Sequence, residues 1–363
     1  MKIPPSVALP PGWEAVLGLI AEHAAQSDQI GVPRSHFDAM AAVGAHGTQE
    51  NIADPRVWRE FTEQLAGADA STWFCWAQHQ TPMRALQAGG NSPSADALQK
   101  RWLDGMRSGQ VLAAVAFGHL RRPGPANPVA KNVDGGWVLD GSLDWVTSWD
   151  IADLVLVMAH TEDKSQILTC VIPIEDFENQ IHGSRVGEKL ELLSMSGTHT
   201  RPVYLDNSPI PPEFVFSITD HASWQGPDVR KTNSPNIAAL GIARAAIEEL
   251  GSIGESRDNA QTVDLANALQ SKYLQLREHA GSLMDQGAAA ETQELITARV
   301  EILDLARDSA AAVIIARAGA GMQSGRSAER RVRESLFLQI QAQTEITRNA
   351  TLQLMSDRYL FNA

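Results

Sequence analysis

The sequence predicts an α+β protein in three parts: an N-terminal α-helical domain over residues 1–110, a central β-barrel or sandwich domain over 111–217, and a C-terminal four-helix bundle over 218–363. Three observations carry this reading. The hydrophobic period is helical at both ends of the chain, short apolar runs replace it in the middle, and turn-forming dipeptides punctuate those runs. With 363 residues the chain can bury a large core.

In the first part, Trp13, Val16, Leu17 and Ile20 recur at helical spacing, and Val57, Trp58, Phe61 and Leu65 do so behind Pro55, a good first-turn residue. A helix from Ala70 through Leu86 contains Pro82, which is expected to kink or split it. Leu98, Trp102 and Met106 form a further short stripe. The middle part holds the runs Val111–Phe117, Val155–Met158 and Ile167–Ile172. There, Asp134-Gly135-Gly136 between Val129–Val133 and Trp137–Leu139 reads as a hairpin, and Asp140-Gly141 as the next turn. Past Ser234 the stripes are long: Ile237, Leu240, Ile247 and Leu250; then Leu265 to Leu283; then Leu295 to Val313; then a helical pair over roughly Arg330 to Tyr359. Long amphipathic helices joined by short Gly-bearing links read as a bundle.

The formal net charge of −13 leaves no general basic surface for nucleic acid or an anionic membrane, although a few local arginines could still hold a phosphate. The two cysteines, Cys75 and Cys170, sit in unrelated segments, which fits a reducing cytoplasm better than a disulfide framework. No signal-peptide pattern or bilayer-length apolar run is seen, and the ten histidines show no metal-ligand spacing, so a metal site is not expected.

The ordered segments resemble the acyl-CoA dehydrogenase superfamily over roughly residues 10 to 357. Gly141, Trp145-Val146-Thr147 and Ala152-Asp153 are similar to the family's turn glycine, Trp-Ile-Thr strand and Ala-Asp. Lys189, Gly197, Thr198, Thr200 and Pro211 fall in register with the segment closing the β domain. Ala318-Gly319-Ala320-Gly321 stands where the family has Gly-Gly-x-Gly, and Glu329-Arg330 with Arg333-Glu334 echoes its Glu-Arg-x-x-Arg-Asp.

The resemblance implies FAD as cofactor and an oligomer of two or four chains, the cofactor spanning an interface. It places Trp145, Thr147 and Ser148 against the flavin ring, Arg257 on the pyrophosphate, Gly319 and Gly321 in close backbone approach, and Thr344 near the adenosine end. Each has a plainer reading: ordinary strand composition, an arginine complementing a helix C-terminus, an inter-helix turn. The chain also departs from the family pattern. Where the family has Thr-Glu and a Gly-Ser-Asp loop it reads Phe117-Gly118-His119-Leu120-Arg121-Arg122, and Arg257 is followed by Asp258 rather than Phe-Gly.

The catalytic base is missing as well. Ala342 holds the position of the family's usual Glu, and the position that a minority of relatives use is close to Lys231. Glu345 would point about 300° away from Ala342 around a helix. Three explanations compete: a base-less subunit of a heteromeric dehydrogenase, another base such as Asp228 or Glu248, or a monooxygenase of the same fold. For the last, His79 is a candidate facing the flavin pocket, against the plainer reading of a satisfied helix histidine. The leading expectation is α,β-dehydrogenation of an acyl thioester, and the runner-up is oxygenation of a hydrophobic small molecule.

Overall fold

The computed structural model describes residues 1–47, 52, 54–179 and 181–360. Five helices come first: α1 (Trp13–Gln29), α2 (Arg34–Ala42), α3 (Pro55–Ala68), α4 (Ala70–Ala88) and α5 (Ala95–Ser108). Asp54 caps α3 by accepting from the Arg56 N–H, with Pro55 in the first turn. Asp69 caps α4 in the same way through Ser71. Helix α4 runs through Pro82 as one element, so the expected split does not occur. Pro82 is buried, and its neighbours Met83 and Leu86 are fixed in the core between helices and sheet, a tertiary hold that outweighs one missing backbone donor.

The strands are β1 (Ala113–Ala116), β2 (Val129–Val133), β3 (Gly136–Val146), β4 (Leu154–Thr161) and β5 (Gln166–Pro173), then, after the short α6 (Ile174–Asn179), β6 (Ser184–Val186), β7 (Arg201–Ile210) and β8 (Val215–Asp220). They form one mixed sheet in the order β6-β7-β3-β2-β4-β5-β8, with β1 parallel to β4. The expected hairpin is the β2–β3 pair, with Val133 opposite Gly136. Asp140-Gly141 is not a turn: both residues lie inside β3, where the register against β7 shifts between Leu139 and Gly141. The physical reason is a bulge. Gly141 has φ 124, and a Cβ there would lie 2.1 Å from Asn127 Oδ1.

The two faces of the sheet bury different things. Ala113, Val115, Leu154, Leu156 and Val171 pack with Met83, Leu86, Leu98 and Met106 of α4 and α5. The alternate residues Ala114, Val155, Val157 and Leu168 meet Leu139, Leu143 and Val203 in one cluster, so the sheet curls over its own inner face.

The C-terminal helices are α7 (His221–Asn233), α8 (Ile237–Ser256), α9 (Ala260–Gln286), α10 (Thr292–Arg317), α11 (Ser327–Leu338) and α12 (Glu345–Leu360). Helix α8 is the central one, with Leu240, Ile242, Ala243 and Ile247 buried in a cluster shared with α1, α3, α4, α9 and α10. Asn236 and Asn259 cap α8 and α9 by accepting from Ala239 and Thr262 N–H groups. Cys75 and Cys170 are both buried and free.

Candidate active-site cleft

The end of β3 supplies a flat wall. Trp145 is 55% exposed, Val146 turns into the sheet core, and Thr147 and Ser148 are buried. The hydroxyls of Thr147 and Thr200 stand 3.3 Å apart, and Thr200 is 2.8 Å from Thr198, which donates to the Met195 carbonyl. Ser148 lies at φ 70 and its N–H donates to the Thr198 carbonyl at 2.8 Å. Its Oγ is buried without a hydrogen-bond partner among the described residues, beside only the weakly polar Cys75 thiol.

A second set gathers where α8 and α10 end. Arg257 donates from Nη1 to the Ala316 carbonyl at 2.6 Å, satisfying one of the last carbonyls of α10. The turn that follows contains Gly319, which faces open space, and Gly321, where a Cβ would meet the Ile314 carbonyl at 2.9 Å. Gly321 is thus required by the turn itself, and Gly319 is not. Ile315 and Met322 beside them are exposed. Thr344 precedes α12, with its N–H donating to Thr347 Oγ1 at 3.0 Å, so it too has a local capping role. Arg257 and the glycine turn are brought together, and Trp145 to Ser148 form the separate wall on β3.

His79 does not face a cleft. It is 1% exposed, its Nδ1 accepts from the Ala113 N–H at 2.9 Å, and its Nε2 lies 3.0 Å from Nε2 of the equally buried His46. Burial, and then the neighbouring His46, hold its pKa well below the usual imidazole value. It is a neutral group closing the junction of α4 and β1, which argues against the role proposed for it from the sequence. Glu248 is also committed, accepting from the Ile3 N–H at 2.9 Å and pairing with Arg244 at 3.5 Å.

Ala342 sits between α11 and α12 at φ 51. Its neighbourhood is tied to the start of the bundle by Arg299 of α10, which donates to the carbonyls of Ser234 at 3.1 Å and Gln341 at 2.9 Å. Arg299 is 3% exposed, and burial, aided by repulsion from Arg121, lowers its pKa to about 10. One guanidinium therefore clamps together the chain beside Ala342 and the α7–α8 junction, three residues past Lys231.

Lys231 is solvent-accessible but hemmed in by protein. Desolvation, then repulsion from Arg84 of α4 and Arg121 of the turn after β1, brings its ammonium down to about 8, against a partial counterweight from Asp228. Asp228 itself receives a bidentate bond from Arg121, at 2.7 and 2.6 Å. Arg122 in the same turn pairs with Asp144. Sequence reasoning missed Arg84 and Arg299 altogether. Arg299 stands between the stripe residues Leu295 and Ile302, on a face the helix buries.

No family model matches the chain. Benzylmalonyl-CoA dehydrogenase of Aromatoleum aromaticum is 24% identical over 273 residues, 70% of this chain and 69% of that protein. Among solved structures, a glutaryl-CoA dehydrogenase from Mycobacterium smegmatis in complex with FADH2 superposes with TM-score 0.75 at 15% identity, covering 96% of this chain and 95% of that one. Nitrososynthase from Micromonospora carbonacea var. africana superposes equally well, TM-score 0.75 at 19% identity, over 99% of this chain and 100% of that one. The fold is that of the acyl-CoA dehydrogenases: helices, a central sheet, helices. The curated sequence relative is likewise an acyl-CoA dehydrogenase by name, so the likeness in fold is matched by a likeness in sequence.

Proposed function

We propose that this chain binds FAD and is a flavin-dependent oxidoreductase whose reaction does not begin with a carboxylate removing an α-proton. One observation carries the second half: the chain has no carboxylate at the two positions expected to supply one, and the nearby Asp228 is committed. Position 342 is alanine, position 231 is lysine, and Asp228 is held by two nitrogens of Arg121. An α-proton cannot be taken by a group already locked as the acceptor of a bidentate pair.

The residues fit a flavin. Trp145 offers a broad exposed face, and Ser148 Oγ is a buried hydroxyl lacking a proper partner next to it. Thr147 is the second hydroxyl of that wall. Gly319 leaves room for a backbone approach, and Arg257 beside it is a cation suited to a pyrophosphate. In the homo-oligomer we infer from the family, Arg257, Gly319, Gly321 and Thr344 would meet the cofactor of a neighbouring copy. When bound, the flavin supplies two-electron redox chemistry. The protein's part is to orient it through Trp145 and the hydroxyls of Thr147 and Ser148, and to present the substrate from the Lys231 side.

The substrate is then a small molecule or an acyl thioester oxidised without α-deprotonation, a reading supported by the equal likeness to nitrososynthase. The α,β-dehydrogenation of an acyl thioester is the second reading, favoured by the name of the curated relative. Visible absorbance of the purified chain tests the cofactor half. Flavin bands are expected, with occupancy falling several-fold in Arg257→Ala; a colourless protein overturns the flavin assignment, and unchanged occupancy in the variant removes Arg257 from it.

A further inference from the structure

One side chain joins the wall at the end of β3 to the N-terminal helices. His199 lies just before β7 at φ 53, and its carbonyl accepts from the Trp149 N–H at 3.1 Å. With the bond from Ser148 to Thr198, this holds the turn after β3 in which Ser148 takes its own positive φ. The His199 ring reaches two partners. Nδ1 stands 3.3 Å from Asp150 Oδ2 in that turn, and Nε2 stands 3.0 Å from the Val32 carbonyl in the link between α1 and α2. The ring is seated against Gly31 of the same link, where a Cβ would lie 2.4 Å from Cε1.

Both partners of the ring are acceptors. A carboxylate and a carbonyl have no hydrogen to give, and a neutral imidazole has one N–H. The two contacts are hydrogen bonds together only when both ring nitrogens carry hydrogen, which is the imidazolium form. The other charged groups on the surrounding elements have their own acceptors and donors. Arg201 of β7 donates to Asp150 Oδ1 at 2.6 Å, and Lys189 donates to the Ile30 carbonyl at 3.3 Å. Arg34 of α2 pairs with Asp153, and Asp28 of α1 with Arg333 of α11.

We propose that His199 is a positioning residue for the flavin wall: as an imidazolium it pins the turn of Thr147 and Ser148 to the α1–α2 link, and loss of one proton frees an end of the pin and loosens the flavin. The inference rests on the flavin reading of Trp145, Thr147 and Ser148.

The test compares wild type, Asp150→Asn and His199→Leu, each equilibrated with FAD at about pH 6 and about pH 8, a window in which imidazoles change charge. Bound flavin is read in its visible bands. Amide hydrogen exchange of the segment holding Ser148 and Trp149, scaled to the intrinsic rate at each pH, is read on the same samples. His36, His46 and His119, held at about 4, stay neutral across the window. Wild type is expected to bind FAD about threefold or more weakly at the higher pH, the effect of one lost hydrogen bond, with protection of the segment falling in parallel. In Asp150→Asn the new amide can donate to Nδ1 of a neutral ring while its oxygen still accepts from Arg201. That variant is therefore expected to bind FAD equally well at both pH values, and His199→Leu to bind it weakly at both.

The proposal is overturned if wild type shows neither pH dependence, or if Asp150→Asn keeps the wild-type dependence. If no form of the protein holds FAD, the flavin reading falls and exchange alone decides the pin. Protection that drops with pH in wild type but not in Asp150→Asn then supports it, and unchanged protection in wild type removes it.

Discussion

Two regions of this molecule gather charge and do opposite things with it. Between α3, α8 and α9, Glu60 and Glu63 meet Arg244 and Arg277 in a closed set. Arg244 Nη1 lies 2.7 Å from Glu60 and 3.1 Å from Glu63, Arg277 pairs with both, and the Ser6 and Tyr273 hydroxyls donate to Glu60 Oε2 and Glu63 Oε1, oxygens that the arginines also contact. Burial works against the Glu60 carboxylate, but the Ser6 and Arg244 hydrogen bonds and the Arg277 charge hold it at about 2. Around Lys231 the charges do not balance: Arg84 and Arg121 repel its ammonium, and Asp228 is taken by Arg121. The first arrangement has its partners within the chain, and the second leaves one ammonium repelled.

The comparison breaks most visibly at Arg244. Arg244→Met removes one of the two arginines that the buried Glu60 and Glu63 carboxylates share and is expected to cost about 3–5 kcal/mol, read as a lower urea midpoint at unchanged slope. A loss below 1 kcal/mol would mean that the network is ornamental. Acid should act next. His36, His46 and His119 are held neutral at about 4, chiefly by burial, so the unfolded chain binds more protons between pH 6.5 and pH 4 and stability falls as pH drops through that window. For buried His46, at 1% exposure, the loss approaches about 3 kcal/mol by pH 4. His46→Gln, measured at pH 7 and pH 5, should show a smaller acid loss than wild type.

The smallest effect belongs to Lys231. Lys231→Gln removes a repelled, unpartnered ammonium and should leave stability at pH 7 within about 1 kcal/mol of wild type. Because the folded Lys231 pKa is lowered to about 8, the unfolded state holds more protons from about pH 8 to the ordinary lysine value. Wild type should therefore gain a little stability as pH rises through that window, and Lys231→Gln should not. A large destabilisation of Lys231→Gln would place Lys231 with the closed network instead.

Much of the fold was legible because periodicity reports which face of each element is buried, and the long stripes of α8 to α10 and the runs of β4 and β5 are unambiguous. Asp140-Gly141 misled because the same glycine freedom that makes a turn also makes a bulge in mid-strand, and only the register against β7 distinguishes them. Pro82 misled because its neighbours are pinned by distant strands. For the proposed site, Trp145, Thr147 and Arg257 were named through resemblance, and Ala342 and Lys231 as positions lacking a carboxylate. The positive surroundings of Lys231 were not, since Arg84 and Arg121 come from other elements and act on it only on folding. His79 could not be placed either, because an aromatic-rich helix gives no hint of which face meets His46.

Anaerobic titration of the purified protein with butyryl-CoA, followed in the flavin bands, bears most directly on the central claim. With Ala342 and Lys231 where a carboxylate would be needed, the bands are predicted to be present and to remain unbleached at saturating thioester. Bleaching would show that an α-proton is removed after all, and would contradict the account of the cleft as a site without an available base.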